Sequence, residues 1–233
     1  MMKVNKNCLF KFIRTIIVFI IFYFSALFKY IPIFLFKLDV NKINNNYKLL
    51  ILLSTFASLC LFIILFFIYR KDLLEEFKIF KKDIINNLDT GLAYWIIGLT
   101  IMFVSNLILI FVFKSGGANN ENSVQEYIKI SPIIMSINAC LLAPFNEEIL
   151  FRKSIKDICL NKYVFVFLSF ILFGGAHVIG ANNSLTDWLY IIPYGALGGV
   201  FALAYFKTDT VFTSMFFHFL HNFIMILISF AII

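Results

Sequence analysis

The 233-residue sequence is 61% hydrophobic and only 14% charged, with a mean hydropathy of +0.92, whereas an average soluble chain is about 45–50% apolar and about 25% charged. That departure excludes a soluble globule, a disordered or collagen-like chain and a disulfide-rich secreted domain, because only lipid can accept so much apolar surface. The net charge of +7 does not point to nucleic acid: the basic residues sit in short segments between apolar runs and read as membrane-flanking charge.

In chain order, Lys3, Lys6, Lys11 and Arg14 precede the apolar run Ile16 to Phe28. No small-residue cleavage pattern follows, so the run is expected to be a retained first span. Lys29 and Pro32 interrupt the longer stretch Thr15 to Phe36, which predicts an end or a kink near Phe28. Leu49 to Tyr69, Gly91 to Phe113, Trp188 to Phe206 and Val211 to Ile233 contain no Asp, Glu, Lys or Arg and meet or approach the ~20 apolar residues that a bilayer core demands of a helix. Tyr163 to Ile179 is a shorter clean run, and a further one begins near Ile130 and meets Glu147 and Glu148. The expected fold is all-α, a polytopic membrane helical bundle of about seven transmembrane helices.

Between the second and third spans, Leu73, Phe77, Phe80 and Ile84 recur at helical spacing among Lys78, Lys81 and Lys82. This predicts an amphipathic connector over 72–87, lying on an anionic membrane surface. Lys114 to Lys129 has the composition of a linker loop. Residues 1–129 then supply N-terminal transmembrane helices and 130–233 the functional core of one membrane-embedded unit. With the N-terminus inside, basic residues divide 14 inside to 6 outside, the bias expected of that orientation. Cys8, Cys60, Cys140 and Cys159 show no C-x-x-C spacing and imply neither a disulfide framework nor a thiolate metal site.

Ionisable groups at membrane depth are costly and normally face a protein interior or a wet cavity. All three histidines, His177, His218 and His221, lie in apolar runs, as do Glu147 and Glu148, with Arg152 one turn beyond. Glu148 and Arg152 are four apart and share a helix face, whereas Glu147 is turned about 100° away. Arg152 can therefore hold Glu148 and leave Glu147 free. His218 and Asn222 are likewise four apart, and His177 follows the small residues Gly174, Gly175 and Ala176, where another helix can approach closely. Gly195 and Gly199 offer the same contact.

The three elements Glu147-Glu148-x-x-x-Arg152, Phe173-x-x-x-His177 and His218-x-x-x-Asn222, in this order and in separate spans, resemble the CPBP family, also called the CAAX protease and bacteriocin-processing (Abi) family of intramembrane endopeptidases. The resemblance covers roughly Ile130 to Ile233. It implies a cavity within the bilayer where water attacks a peptide carbonyl, with Glu147 as general base, His177 orienting the water, His218 and Asn222 hydrogen-bonding the oxyanion, and Glu148 with Arg152 as an orienting pair. A carboxylate withdrawn from water is a better base near neutral pH. On this reading no cofactor is needed. A second mechanism proposed for the family has carboxylates and histidines, here Glu147, His177 and His218, bind zinc; the residue types permit it, but there is no H-E-x-x-H.

The expected partners are membrane lipid and a peptide or protein substrate, with no nucleic acid. The family's substrates span prenylated C-termini, peptide pheromones and bacteriocin leaders. The Asn-, Lys-, Ile- and Phe-rich composition suits an AT-rich microbial genome, hence a bacterial plasma membrane and a role in peptide maturation or bacteriocin self-immunity. Two other readings stand beside it: a non-proteolytic membrane immunity or regulatory partner, and a proton-coupled transporter, against which the missing inverted repeat counts. Taken singly, Glu147 and Glu148 also suit a membrane exit, and each histidine a helix-to-helix hydrogen bond.

Overall fold

A chain this apolar forms helices wherever it must satisfy its backbone without water. The computed structural model describes residues 6–40, 43, 45–159, 161–179 and 185–232. Lys3 of the basic stretch and Ile233 of the last expected span lie outside them. The described residues form α1 (Lys6–Phe24), α2 (Tyr47–Lys82), α3 (Ile84–Phe111), α4 (Asn119–Ile130), α5 (Pro132–Ile158), α6 (Lys162–Val178), α7 (Ile191–Thr208) and α8 (Val211–Ile232). Six helical stretches are long and apolar enough to cross a bilayer, and α6 is a shorter apolar helix, so an all-α membrane bundle of about seven spans describes the chain. Faces without a protein partner carry exposed Phe34, Phe103 and Phe167, as lipid-facing surfaces do.

The first span ends where its sequence weakens. α1 gives way to a 3₁₀ turn, Ser25–Lys29, and a short helix, Tyr30–Leu35, that contains Pro32.

Two sequence expectations are corrected. Residues 72–82 are not a separate surface connector: α2 runs unbroken from Tyr47 to Lys82, and the chain turns only at Asp83 before α3. The reason is packing, since Leu73 and Glu76 are buried against the bundle and hold the last turns of α2 in place. The stretch 114–129 is not simply a loop, because 119–130 is α4. Its apolar stripe is narrow, but Ile128 is 1% exposed and packs, with Val124 alongside, against Ile51, Met135 and Ile226.

α5 is the central strut. It packs against α1, α2 and α8, and it contains two π-turns, Asn138–Leu142 and Ile149–Ser154. Such turns occur mostly as single insertions, frequently at functional sites. Here each passes a carbonyl to a neighbouring helix: Ala139 O accepts from Asn222 Nδ2 (2.8 Å), Phe151 O from Ser169 Oγ (2.8 Å) and Ser154 O from Thr15 Oγ1 (2.9 Å).

Close approach of α6 and α7 rests on glycine. A Cβ on Gly174 would lie 2.6 Å from Ile191 O, and one on Gly198 would lie 2.9 Å from Ser169 O. Gly175 and Gly199 have ordinary clearance, so the tight points are Gly174, Gly195 and Gly198 rather than all the glycines in the two runs.

Candidate active site

The middle of α5 brings Glu147 and Glu148 to the heart of the bundle. Glu148 is fully buried, and its Oε1 lies 3.2 Å from Arg152 Nη1, one turn on and equally buried. Arg152 in turn lies over the Phe173 ring at 4.3 Å and near Phe201 at 5.6 Å. His218 Nδ1–H donates to the same Glu148 oxygen at 2.8 Å. Arg152 and His218 thus meet on one oxygen of Glu148, the first as an ion pair and the second by a charge-assisted hydrogen bond.

Glu147 stands apart. Its side chain and that of His177 keep 19% exposure each. Glu147 Oε2 is 3.6 Å from His218 Nε2 and 4.0 Å from His177 Nε2. His177 Nδ1–H donates to Phe173 O, one turn back, at 2.9 Å, and the ring stacks on Tyr194 with centroids 4.7 Å apart. Both imidazoles therefore have their Nδ1 occupied and turn Nε2 towards Glu147. Asn222 sits one turn beyond His218, and its Nδ2 donates to Ala139 O of α5. His221 is buried at 9% exposure and is not one of the histidines turned to Glu147.

The offset in depth between His177 and His218, which simple antiparallel spans would produce, does not arise. α5 continues through Arg152 to Ile158, so Glu147 lies at mid-span, level with the end of α6 and the second turn of α8.

Glu147, His177 and His218 are donors of the types zinc takes. Two ligands about 2.1 Å from a tetrahedral ion stand about 3.4 Å apart, close to the 3.6 Å of Glu147 and His218 and short of the 4.0 Å of Glu147 and His177. Among the described residues no group of three or more His, Cys, Asp or Glu could hold a metal ion.

Residues 129–224, which contain every one of these groups, match the family model described as type II CAAX prenyl endopeptidase Rce1-like. Over that stretch the chain is similar to the CPBP family. It is 25% identical over 174 residues to the Bacillus subtilis (strain 168) protein named "Putative membrane peptidase YdiL", an alignment covering 72% of this chain and 68% of that one. It is 30% identical over 172 residues to "UPF0177 protein YvdC" of Lactococcus lactis subsp. lactis (strain IL1403), covering 69% of this chain and 63% of that one, less than two thirds of the relative. No solved structure matches the chain. These likenesses support a membrane protease in general.

Sequence reasoning missed the residues that tie α8 to α2 and α5. Glu76, on α2, accepts from Val211 N at the start of α8 (2.7 Å) and from Tyr205 OH (2.8 Å), and it pairs with Lys153 Nζ at 3.0 Å. A carboxylate at a helix N-terminus satisfies N–H groups that have no partner within the helix. This one therefore anchors the helix that carries His218. Lys153 also pairs with Asp157 at 3.1 Å, and Arg14 joins Asp157 to Asp72. The signal was present as Lys153 and Asp157 four apart on the same helix, but their partners lie in distant parts of the chain.

Proposed function

We propose that the protein is an intramembrane endopeptidase in which Glu147 activates water to hydrolyse a peptide bond of a membrane-associated peptide or protein. The observation that carries this reading is the 4.0 Å gap between Glu147 Oε2 and His177 Nε2. A neutral His177 with its hydrogen on Nδ1 presents a lone pair at Nε2, and the Glu147 carboxylate is also an acceptor. Two acceptors at that distance cannot bond each other, but one water can donate a hydrogen to each. Its oxygen lone pair is then free to attack.

As the new C–O bond forms, Glu147 takes the water's proton, and it returns a proton to the departing amine nitrogen when the C–N bond breaks. The oxyanion that develops needs donors. His218 donates from Nδ1 to Glu148, so a ring that also carries a hydrogen on Nε2 offers that second N–H to the oxyanion. In this form Arg152, Glu148, Glu147 and His218 sum to zero charge, which suits groups withdrawn from water. Asn222 Nδ2 has two hydrogens; one is used on Ala139 O, and the other is the second donor. Every step draws on this chain's own groups.

We place this activity in a bacterial plasma membrane and in peptide maturation or bacteriocin self-immunity. The test is Glu147→Ala in the full chain, reconstituted in vesicles with a peptide library and read by mass spectrometry. Loss of cleavage by about 10²-fold or more, with thermal stability kept and the wild-type activity persisting in a chelator, is the expected result. Cleavage unchanged by Glu147→Ala overturns the reading.

A further inference from the structure

His177 stands where its own helix holds it least. It is the last residue but one of α6, in the turn whose carbonyls have no partner within the helix. It also follows Gly174 and Gly175, and glycine weakens a helix from within. The bond from His177 Nδ1 to Phe173 O stays inside α6 and moves with it, and so does the Phe173 ring, whose centroid is 4.5 Å from that of the imidazole. Support from outside α6 comes from α7. At Gly174 the first turn of α7 approaches until a Cβ would meet Ile191 O at 2.6 Å and Gly195 N at 3.0 Å. That approach brings the Tyr194 ring onto the imidazole, with centroids 4.7 Å apart and planes 25° from parallel.

Tyr194 is itself held. Its hydroxyl oxygen accepts from the Asn120 side chain and from the Glu121 backbone N–H, a first-turn donor that α4 cannot satisfy internally. Tyr190, one turn earlier on the same side of α7, is buried, and its hydroxyl meets Ser115 Oγ at 2.9 Å. α4 in turn is fixed by Ile128, which packs in the core against Ile51, Met135 and Ile226. The gap that Asn120, His177 and Tyr194 line is only about 10 Å³, room for about one water. A line of contact therefore runs from the core through α4 and Tyr194 to the imidazole.

We propose that Tyr194 is a positioning residue of the candidate site: anchored to α4 through its hydroxyl, it holds the His177 imidazole in the placement that turns Nε2 towards Glu147. The inference rests on the endopeptidase reading and adds to it a support that none of the three motifs contains. Asn120 and Glu121 lie outside residues 129–224, so the N-terminal part of the chain sets the aim of a residue in the matched part. Geometry is what is at stake. One water is to bridge the 4.0 Å between Glu147 Oε2 and His177 Nε2, and a misplacement of about 1 Å costs about 10²-fold in rate.

The test joins kinetics to a signal that needs no cleavage. The full chain, carrying isotope-labelled histidine in phospholipid vesicles, gives ring-nitrogen resonances for His177, identified by their absence from His177→Gln. We expect one narrow set with the hydrogen on Nδ1 in the parent, and a broadened or divided set in Tyr194→Leu. On a peptide that the parent cleaves, Tyr194→Leu lowers kcat by about tenfold to a hundredfold with KM within about twofold. Tyr194→Phe keeps the ring, restores the single set and loses only about twofold to tenfold in kcat. Asn120→Ala falls no further than Tyr194→Phe, and the two together no further than Tyr194→Phe alone, because the bond is already gone. These two variants leave the stacked ring in place and decide the matter should Tyr194→Leu not fold. A His177 signal unchanged in Tyr194→Leu, a rise in KM with kcat kept, or losses from Tyr194→Phe and Asn120→Ala that multiply, overturns the proposal. A His177 signal that responds as expected in a chain that cleaves no peptide would leave the positioning role standing and sink the endopeptidase reading; cleavage that ends with Glu147→Ala yet ignores Tyr194→Leu does the reverse.

Discussion

Arg152 is worth more to Glu148 than to solvent, because neither side chain has any exposure. Removing one partner of such a pair leaves an uncompensated buried charge, at a cost of about 3–5 kcal/mol. Arg152→Met is therefore expected to lower unfolding stability by about that amount in a denaturant titration of the detergent-solubilised protein. Adding Glu148→Gln should return much of it, since the stranded charge goes with the carboxylate. A double variant no more stable than Arg152→Met alone would show that the pair is not what the guanidinium serves. At this scale the sequence was informative: the four-residue spacing already put Arg152 on the face of Glu148 and turned Glu147 away. The sequence could not tell that His218 and Arg152 share one oxygen of Glu148, because that depends on how far α8 sits along α5, and spacing within a helix carries no information about its neighbours.

Helix-to-helix distance decides whether His177 reaches Glu147. α6 meets α7 through Gly174, where an added Cβ would press on a backbone carbonyl at 2.6 Å, whereas at Gly175 the nearest atom would be 3.7 Å away. A backbone oxygen cannot rotate aside as a side chain can, so Gly174→Ala is expected to push the helices apart at a cost of about 1–3 kcal/mol. It should also reduce cleavage, because His177 lies on the same helix three residues on. Gly175→Ala is the matched control and should leave stability within about 0.5 kcal/mol; melting curves of the two variants beside their cleavage rates check both. Small residues flanking His177 could be read as a contact surface, but which of them bears the contact could not. The π-turns of α5 left no mark in its composition either, and α4 escaped notice because its few apolar side chains sit in an otherwise polar segment.

Across the whole molecule, charge-free runs of membrane length were enough to reveal a helical bundle, because hydropathy and helix length are properties of single segments. The set of ion pairs from Arg14 through Asp157 and Lys153 to Glu76 was illegible for the opposite reason: it joins α1, α2 and α5, and nothing local announces such a meeting. One property of a single segment has consequences for all the others. α6 has 17 residues, and at about 1.5 Å each it measures about 25 Å, less than the ~30 Å hydrocarbon layer around it. A thinner hydrocarbon layer is the better match to that helix, which ends at Val178, one residue past His177. Membranes of short-acyl phospholipids should therefore support faster turnover than long-acyl ones across a graded chain-length series; a flat profile would mean that the fit of α6 to the bilayer plays no part in cleavage.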